Sequence, residues 1–196
     1  MTEKQQHVPK LVLGLLHYPI LDREKRTVAT NITNFDIHDI ARATTVYGAE
    51  QYYIIHPNQE QLMFVHRVLD HWRVGQGSKF NPSRKMALTH VKTAKTLEEA
   101  LADWGYPREK TLIIGTHARP VAGTRHWTIQ ELREELKDPE KACFLIFGTG
   151  FGMTDEFMRG TDGILESIRG APPKDFRHLS VRSAVSIYLD RIMGPW

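Results

Sequence analysis

The chain has little that would tie it to an oxidising compartment, a membrane or a metal. Its 196 residues include one cysteine, Cys143, which excludes an internal disulfide and a zinc site built on cysteines. Cys143 sits in an apolar run and reads as a small core residue rather than a nucleophile. No apolar run approaches the roughly 20 residues of a membrane span. The opening MTEKQQHVPK lacks an apolar h-region, so the expected location is the cytoplasm. Several common reaction signatures are absent as well. There is no GxxxxGK[ST], no GxSxG and no HExxH, and the ten histidines are not spaced as metal ligands, so no metal is expected. The spacing Gly148-x-Gly150-x-Gly152 is not the dinucleotide fingerprint GxGxxG. It also falls late in the chain, whereas that fingerprint follows the first strand of its fold.

What is present is a normal soluble composition. Hydrophobic residues make up 41% and charged residues 25%, enough for an ordinary core. The formal charge of +3 permits a polyanionic partner without demanding one. Residues 1–9 read as a loose tail and residues 10–196 as a single domain.

The chain alternates short apolar strands with amphipathic helices. Strands are expected at 11–16, 51–55, 87–91, 111–115, 142–147 and 163–168. Helices are expected at 36–47, 59–73, from 96 to 104, from 128 to a close at Asp138-Pro139, as a short turn at 155–159, and as a strong last helix after Ser180. The last helix carries Val181, Ala184, Val185, Tyr188, Leu189 and Ile192 on one stripe. Thr96-Leu97-Glu98-Glu99 and Thr128-Ile129-Gln130-Glu131 each spell a capping box. Residues 74–85, with two glycines, a proline and three basic side chains, read as a mobile loop. This pattern predicts an α/β fold, with a mostly parallel sheet and helices on both faces.

Three strand ends draw attention because each runs into a small polar turn. These are Gly115-Thr116-His117, Gly148-Thr149-Gly150, and the Glu166 to Gly170 segment that leads to Leu179-Ser180. In an open α/β sheet, ligands bind in the crevice at the carboxyl ends of the strands. Glycine there lets a ligand approach without meeting a Cβ. A wall of backbone and apolar side chains suits a flat heterocycle such as adenine.

In these segments the sequence resembles the SPOUT methyltransferases, S-adenosylmethionine (SAM)-dependent RNA methylases with a C-terminal trefoil knot. Arg42-Ala43-Thr44-Thr45-Val46-Tyr47-Gly48 is similar to the first family motif. Leu145 to Gly152 is similar to the second, and His178 to Val185 to the third. The order and spacing of the motifs carry the resemblance over nearly the whole chain. It is closest to a compact, single-domain bacterial branch of RNA methyltransferases.

The resemblance implies a deep C-terminal trefoil knot, a homodimer, and SAM bent within the knot. By motif position, Gly148, Thr149 and Gly150 would border the cofactor, and Glu166 and Ile168 would offer backbone to the adenine. His178, Leu179, Ser180 and Ser183 would close the site, and Thr116 and His117 would complete its wall. The substrate would be tRNA or rRNA, methylated on base or ribose. Ribose-methylating relatives carry a glutamate where Thr149 or Gly150 stands, and this departure leaves the base-methylating alternative equally open. It also leaves open a SAM- or RNA-binding module without transferase activity.

Arg42 would serve the partner's active site; its alternative is an ion pair with Asp39. Asp155 is a candidate general base or a helix cap. Arg182, in the first turn of the last helix, opposes the helix dipole and is either a phosphate ligand or a salt-bridge partner. Lys79 and Arg84, in the loop at 74–85, are candidate RNA-backbone contacts, together with Arg23, Lys25 and Arg26.

Overall fold

The computed structural model describes residues 8–195. Most of the expected N-terminal tail therefore lies outside the described residues. The first strand, β1 (Lys10–Leu16), is followed by a small antiparallel hairpin, β2 (Ile20–Leu21) and β3 (Thr27–Val28). Next come α1 (Asn34–Tyr47), β4 (Gln51–Ile55), α2 (Gln59–Arg73), α3 (Gly77–Phe80), α4 (Pro82–Leu88), β5 (Val91–Ala94) and α5 (Leu97–Trp104). The second half holds β6 (Thr111–Thr116), β7 (His126–Trp127), α6 (Ile129–Glu135), β8 (Ala142–Gly148), α7 (Asp155–Arg159), β9 (Gly163–Leu165) and α8 (Val181–Met193).

Seven strands form one sheet in the order β5-β4-β1-β8-β6-β9-β7, and every pairing in it is parallel. The central strands are apolar on both sides, as a parallel sheet covered on both faces requires. Successive residues divide between two cores. Leu11, Leu13, Leu15, Cys143, Leu145 and Phe147 pack with α1, α2, α6 and α8. Val12, Leu16, Phe144 and Ile146 pack on the other face against Ala100 of α5 and Met158 of α7. Cys143 is fully buried and burial pushes its thiol far up, which fits a packing role.

Caps set most helix limits. Thr33 accepts a hydrogen bond from the Asp36 amide at the start of α1, and Gly48 closes that helix in the left-handed region. The capping box Thr128–Glu131 forms in full. Its counterpart at α5 forms by half. Thr96 accepts from the Glu99 amide, but the Glu99 carboxylate reaches past Thr96 to the Lys95 amide.

Four expectations are corrected. Residues 74–85 are not a loop, since they supply α3 and α4, the latter started by Asn81, whose side chain accepts from the Arg84 amide, with Pro82 in the first turn. The helix then consumes Ala87 and Leu88, so the strand expected at 87–91 lies at Val91–Ala94 instead. The last strand ends at Leu165, three residues short of the expectation. The helix that starts after Thr128 ends at Glu135, before Asp138-Pro139.

Gly163 opens β9, paired with Ile114 of β6 and packed against Trp127 of β7, in a conformation that only glycine tolerates well. Its φ is +143°, and a Cβ there would stand 2.6 Å from Trp127 Cδ1 and 2.7 Å from the Arg125 carbonyl oxygen. The Gly163→Ala variant is expected to lose about 3 kcal/mol of stability, from backbone strain plus overpacking. A urea titration that finds less than about 1 kcal/mol would show that the β6–β9–β7 junction is looser than described.

Candidate functional site

A cavity of about 1070 Å³ opens beyond the carboxyl ends of β1, β8 and β6. Four segments wall it. The first is the glycine turn from Gly148 to Gly152, and the second is Thr116 to Arg119. The third combines Ile168 with the segment entering α8, including His178, Leu179 and Ser180. The fourth, not anticipated from the sequence, is the β2–β3 hairpin with Leu21, Arg23 and Lys25, continued by Thr30, Asn31, Thr33 and Asp36.

The hairpin straps the glycine turn in place. Leu21 donates its amide to the Gly152 carbonyl at 2.8 Å, and the Phe151 amide returns to the Leu21 carbonyl at 3.2 Å. The Gly152 amide is taken by the Thr149 carbonyl. The Phe151 and Gly152 amides are therefore spent on shaping the wall. Gly150 and Gly152 have φ of +54° and +98°, the backbone region where glycine carries no steric penalty.

A polar chain runs inward from that wall, from Thr149 and Thr30 at the cavity to the buried His17 and His56. The Thr149 and Thr30 hydroxyls hydrogen-bond to each other, and Thr30 Oγ1 meets His17 Nδ1 at 3.1 Å. His56 Nδ1 accepts from the Asn58 amide, so its Nε2 carries the hydrogen and donates to the Thr30 carbonyl at 3.1 Å. His17 is completely buried. Burial, with nearby His56 adding to it, lowers its pKa to about 4 against the pull of the Thr30 backbone, and keeps the ring neutral.

His117 is the most informative side chain of the second wall. Its Nδ1 accepts from the Arg119 amide at 3.1 Å, which places the hydrogen on Nε2. That Nε2 is buried and has no partner. It lies against Gly152, where a Cβ would approach it to 2.7 Å. Burial first, then Arg119, lowers the His117 pKa, with Asp155 opposing. The result is a neutral ring whose Nε2 donor has no acceptor and is packed against the Gly152 backbone of the cavity wall. A buried donor without an acceptor is costly, and an acceptor on a bound molecule would relieve it.

Thr116, His117, Gly148, Thr149, Gly150, Ile168, His178, Leu179 and Ser180 all line this one cavity. Arg26 and seven further candidates do not. Glu166 is exposed; its amide and carbonyl are held by the Trp127 carbonyl and the Tyr188 hydroxyl, and its carboxylate accepts from the Ile129 amide. Its visible work is to brace β7 and α8. Ser183 gives its amide to the capping Ser180, and the two hydroxyls bond at 2.9 Å.

Arg182 is occupied by carboxylates, with Nη1 3.4 Å from Asp36 and Nε 3.4 Å from Asp39. Asp39 is thus taken by α8, and Arg42, exposed on α1, is left without it. Asp155 is not the cap of α7, a role that Thr154 fills; its carboxylate stands 3.6 Å from Arg119. Lys79 lies on α3 and Arg84 on α4, away from the cavity.

The cavity mouth has an excess of unpaired positive charge. Asp22 is taken by Arg26, and Asp175 by Arg177. Arg23, Lys25 and Lys174 line the mouth with no carboxylate partner among the described residues. No helix among the described residues is long and apolar enough to cross a membrane.

A family model described as SAM-dependent RNA methyltransferase matches residues 10–194. An uncharacterized protein of Aquifex aeolicus is 38% identical over 183 residues, covering 93% of this chain and 87% of that protein. A tRNA (guanine-N(1)-)-methyltransferase of Oleidesulfovibrio alaskensis is 36% identical over 194 residues, covering 98% of this chain. The match spans only 44% of that longer protein. Among solved structures, the SpoU methyltransferase AviRb of Streptomyces viridochromogenes, in complex with AdoMet, is similar over 96% of this chain and 58% of its own. The TM-score is 0.56 at 12% sequence identity, a likeness of fold.

Proposed function

The chain belongs to the family of SAM-dependent RNA methyltransferases, and we propose from that premise that the four-walled cavity holds SAM and presents its methyl group to tRNA or rRNA. The observation that carries this placement is the unpartnered Nε2 of His117 facing a turn of glycines. The missing Cβ at Gly152 lets the turn pack against the His117 ring, and a small shift of that turn would offer the donor to a ligand acceptor. Ile168, Leu179 and Tyr188 add an apolar wall against which a purine can pack. The bound cofactor supplies an electrophilic methyl on sulfur.

This chain's contribution is alignment and the exclusion of water. Thr149, fixed through Thr30 to His17, holds the turn rigid. Arg23, Lys25 and Lys174 meet the RNA backbone at the mouth. Asp155, paired with Arg119 beside His117 and just outside the cavity lining, is the carboxylate left to receive a proton from the acceptor, since Asp22, Asp36 and Asp175 are held by arginines.

The reading includes a homodimer, with the segment from β9 to α8 threaded as a trefoil knot around the cofactor. Two features support the dimer. Arg42 is exposed and does not line its own chain's cavity, which fits a role across an interface. Phe35 and Val46 of the same helix expose apolar side chains at 66% and 75%, area that a partner would cover. Arg42→Ala is expected to leave SAM affinity unchanged in calorimetry and to lower methyl transfer about 100-fold, the scale of a lost positioning contact. Undiminished transfer would remove Arg42 from the site. Both the knot and the dimer are tested by a crystal structure of the SAM complex. A module that binds SAM or RNA without transfer would retain binding in all these measurements and label no RNA.

A further inference from the structure

A second cluster of cations lies outside the cavity, where α1, α2 and α4 pack together. The Arg84 guanidinium covers the Trp72 ring, with Cζ 4.2 Å from its centroid. The His38 ring meets the same tryptophan edge-on at 5.7 Å, and His71 meets it at 4.9 Å. Arg42 stands one turn after His38 on α1. Two nitrogens in this cluster, His38 Nδ1 and Arg84 Nε, are buried without a hydrogen-bond partner. Neither Arg42 nor Arg84 has a carboxylate partner among the described residues, and Asp39, the acid nearest in sequence, is engaged by Arg182.

Like charges gathered in this way repel one another. Besides burial, Arg84 and Arg42 both lower the His38 pKa, with Asp39 opposing. The arrangement is one that an anion would relieve. It is also preorganised, because the stack on Trp72 fixes the plane of the guanidinium fork before anything binds.

We propose that Arg84 and His38, packed on Trp72, form a seat for an RNA phosphate, distinct from the cavity that holds SAM. The seat lies on an outer helical face rather than in an enclosed pocket, which suits a backbone passing over it better than a small phosphorylated metabolite. Seat and cavity mouth would together hold two stretches of one RNA. The inference rests on the RNA reading above, but its test is separate from SAM binding.

The measurement is binding of bulk tRNA to the intact protein over about 50 to 200 mM salt, with SAM affinity followed in parallel. Arg84→Gln is expected to weaken tRNA binding about 5- to 10-fold at moderate salt. It should reduce the slope of log affinity against log salt by about 0.7–0.9, the loss of one phosphate contact. SAM affinity should stay at the parent value. Arg84→Lys, which keeps the charge, is expected to keep most of the slope even if it melts earlier; a mere folding defect would not sort by charge. His38→Gln should weaken tRNA binding in the same direction.

Parent-like affinity and slope in Arg84→Gln would overturn the seat. So would equal losses in the Gln and Lys variants, or a parent protein whose tRNA binding ignores salt. Failure of the parent to bind SAM would count against the cavity reading and not against this one.

Discussion

Gly152→Ala is expected to weaken SAM binding at least 30-fold, about 2 kcal/mol, while the protein stays folded. The residue has φ of +98°, and a Cβ would stand 2.7 Å from His117 Nε2 and 3.3 Å from two ring carbons. Two effects follow from one methyl group. The backbone is strained by about 1–2 kcal/mol, and the imidazole must leave its packed position against the turn that walls the cavity.

The control is Gly105→Ala. Gly105 has a comparable positive φ of +72°, but its added Cβ would meet nothing closer than the Ala102 carbonyl oxygen at 3.9 Å. This variant should lose about 1 kcal/mol of stability and no SAM affinity, because the residue caps α5 far from the cavity. Calorimetry with both variants separates strain from site. If Gly152→Ala binds SAM as the parent does, the cofactor does not sit against this turn.

Acid should destabilise the fold well before its carboxylates titrate. His17 is neutral in the native state with a pKa lowered from 6.5 to about 4. Below pH 6.5 the unfolded chain takes up a proton at this residue and the native chain does not. Its stabilising contribution is therefore complete above about pH 7 and is lost as the pH falls towards 4. Over that window the loss reaches about 3 kcal/mol from this residue alone.

His38, His56 and His117 are lowered too and add in the same direction. The lowered carboxylates, such as Asp22 and Asp175, act at more acidic pH, since their stabilisation disappears only as pH falls through their own depressed values. In His17→Asn the slope of stability between pH 6.5 and 4 should shrink by about 1.4 kcal/mol per pH unit, one proton's worth. Identical slopes in parent and variant would mean that His17 is not held neutral by burial.

How legible each element was depends on its length and its caps. The helix at Gln59–Arg73 and the strand at Gln51–Ile55 have the expected bounds, because a long apolar stripe and the run of four aromatic and β-branched residues after Gln51 each admit one interpretation. The β2–β3 hairpin has two residues per strand, too few for any period to show. The helices α3 and α4 were masked by glycine, proline and basic residues. The signal that would have found α4 is Asn81-Pro82, an N-cap followed by proline in the first turn.

The cavity divides in the same way. Three of its walls follow the strand-end turns that the sequence marks. The fourth is made by the hairpin, and only tertiary structure places it there. Asp36 illustrates why. It is nearly buried, it accepts a hydrogen bond from the Thr33 hydroxyl, and it meets Arg182 from the far end of the chain. That partnership converts a candidate RNA ligand into a strut between α1 and α8. No local spacing announces a contact across 146 residues.

The account stands most directly on one incubation: the purified protein with methyl-tritiated SAM and total RNA from a strain lacking the gene, followed by digestion to nucleosides. The expected result is label in a single modified nucleoside, strongly reduced with Gly152→Ala at subsaturating SAM and competed by unlabelled SAM. A protein that binds SAM in calorimetry yet leaves every RNA fraction unlabelled would contradict it.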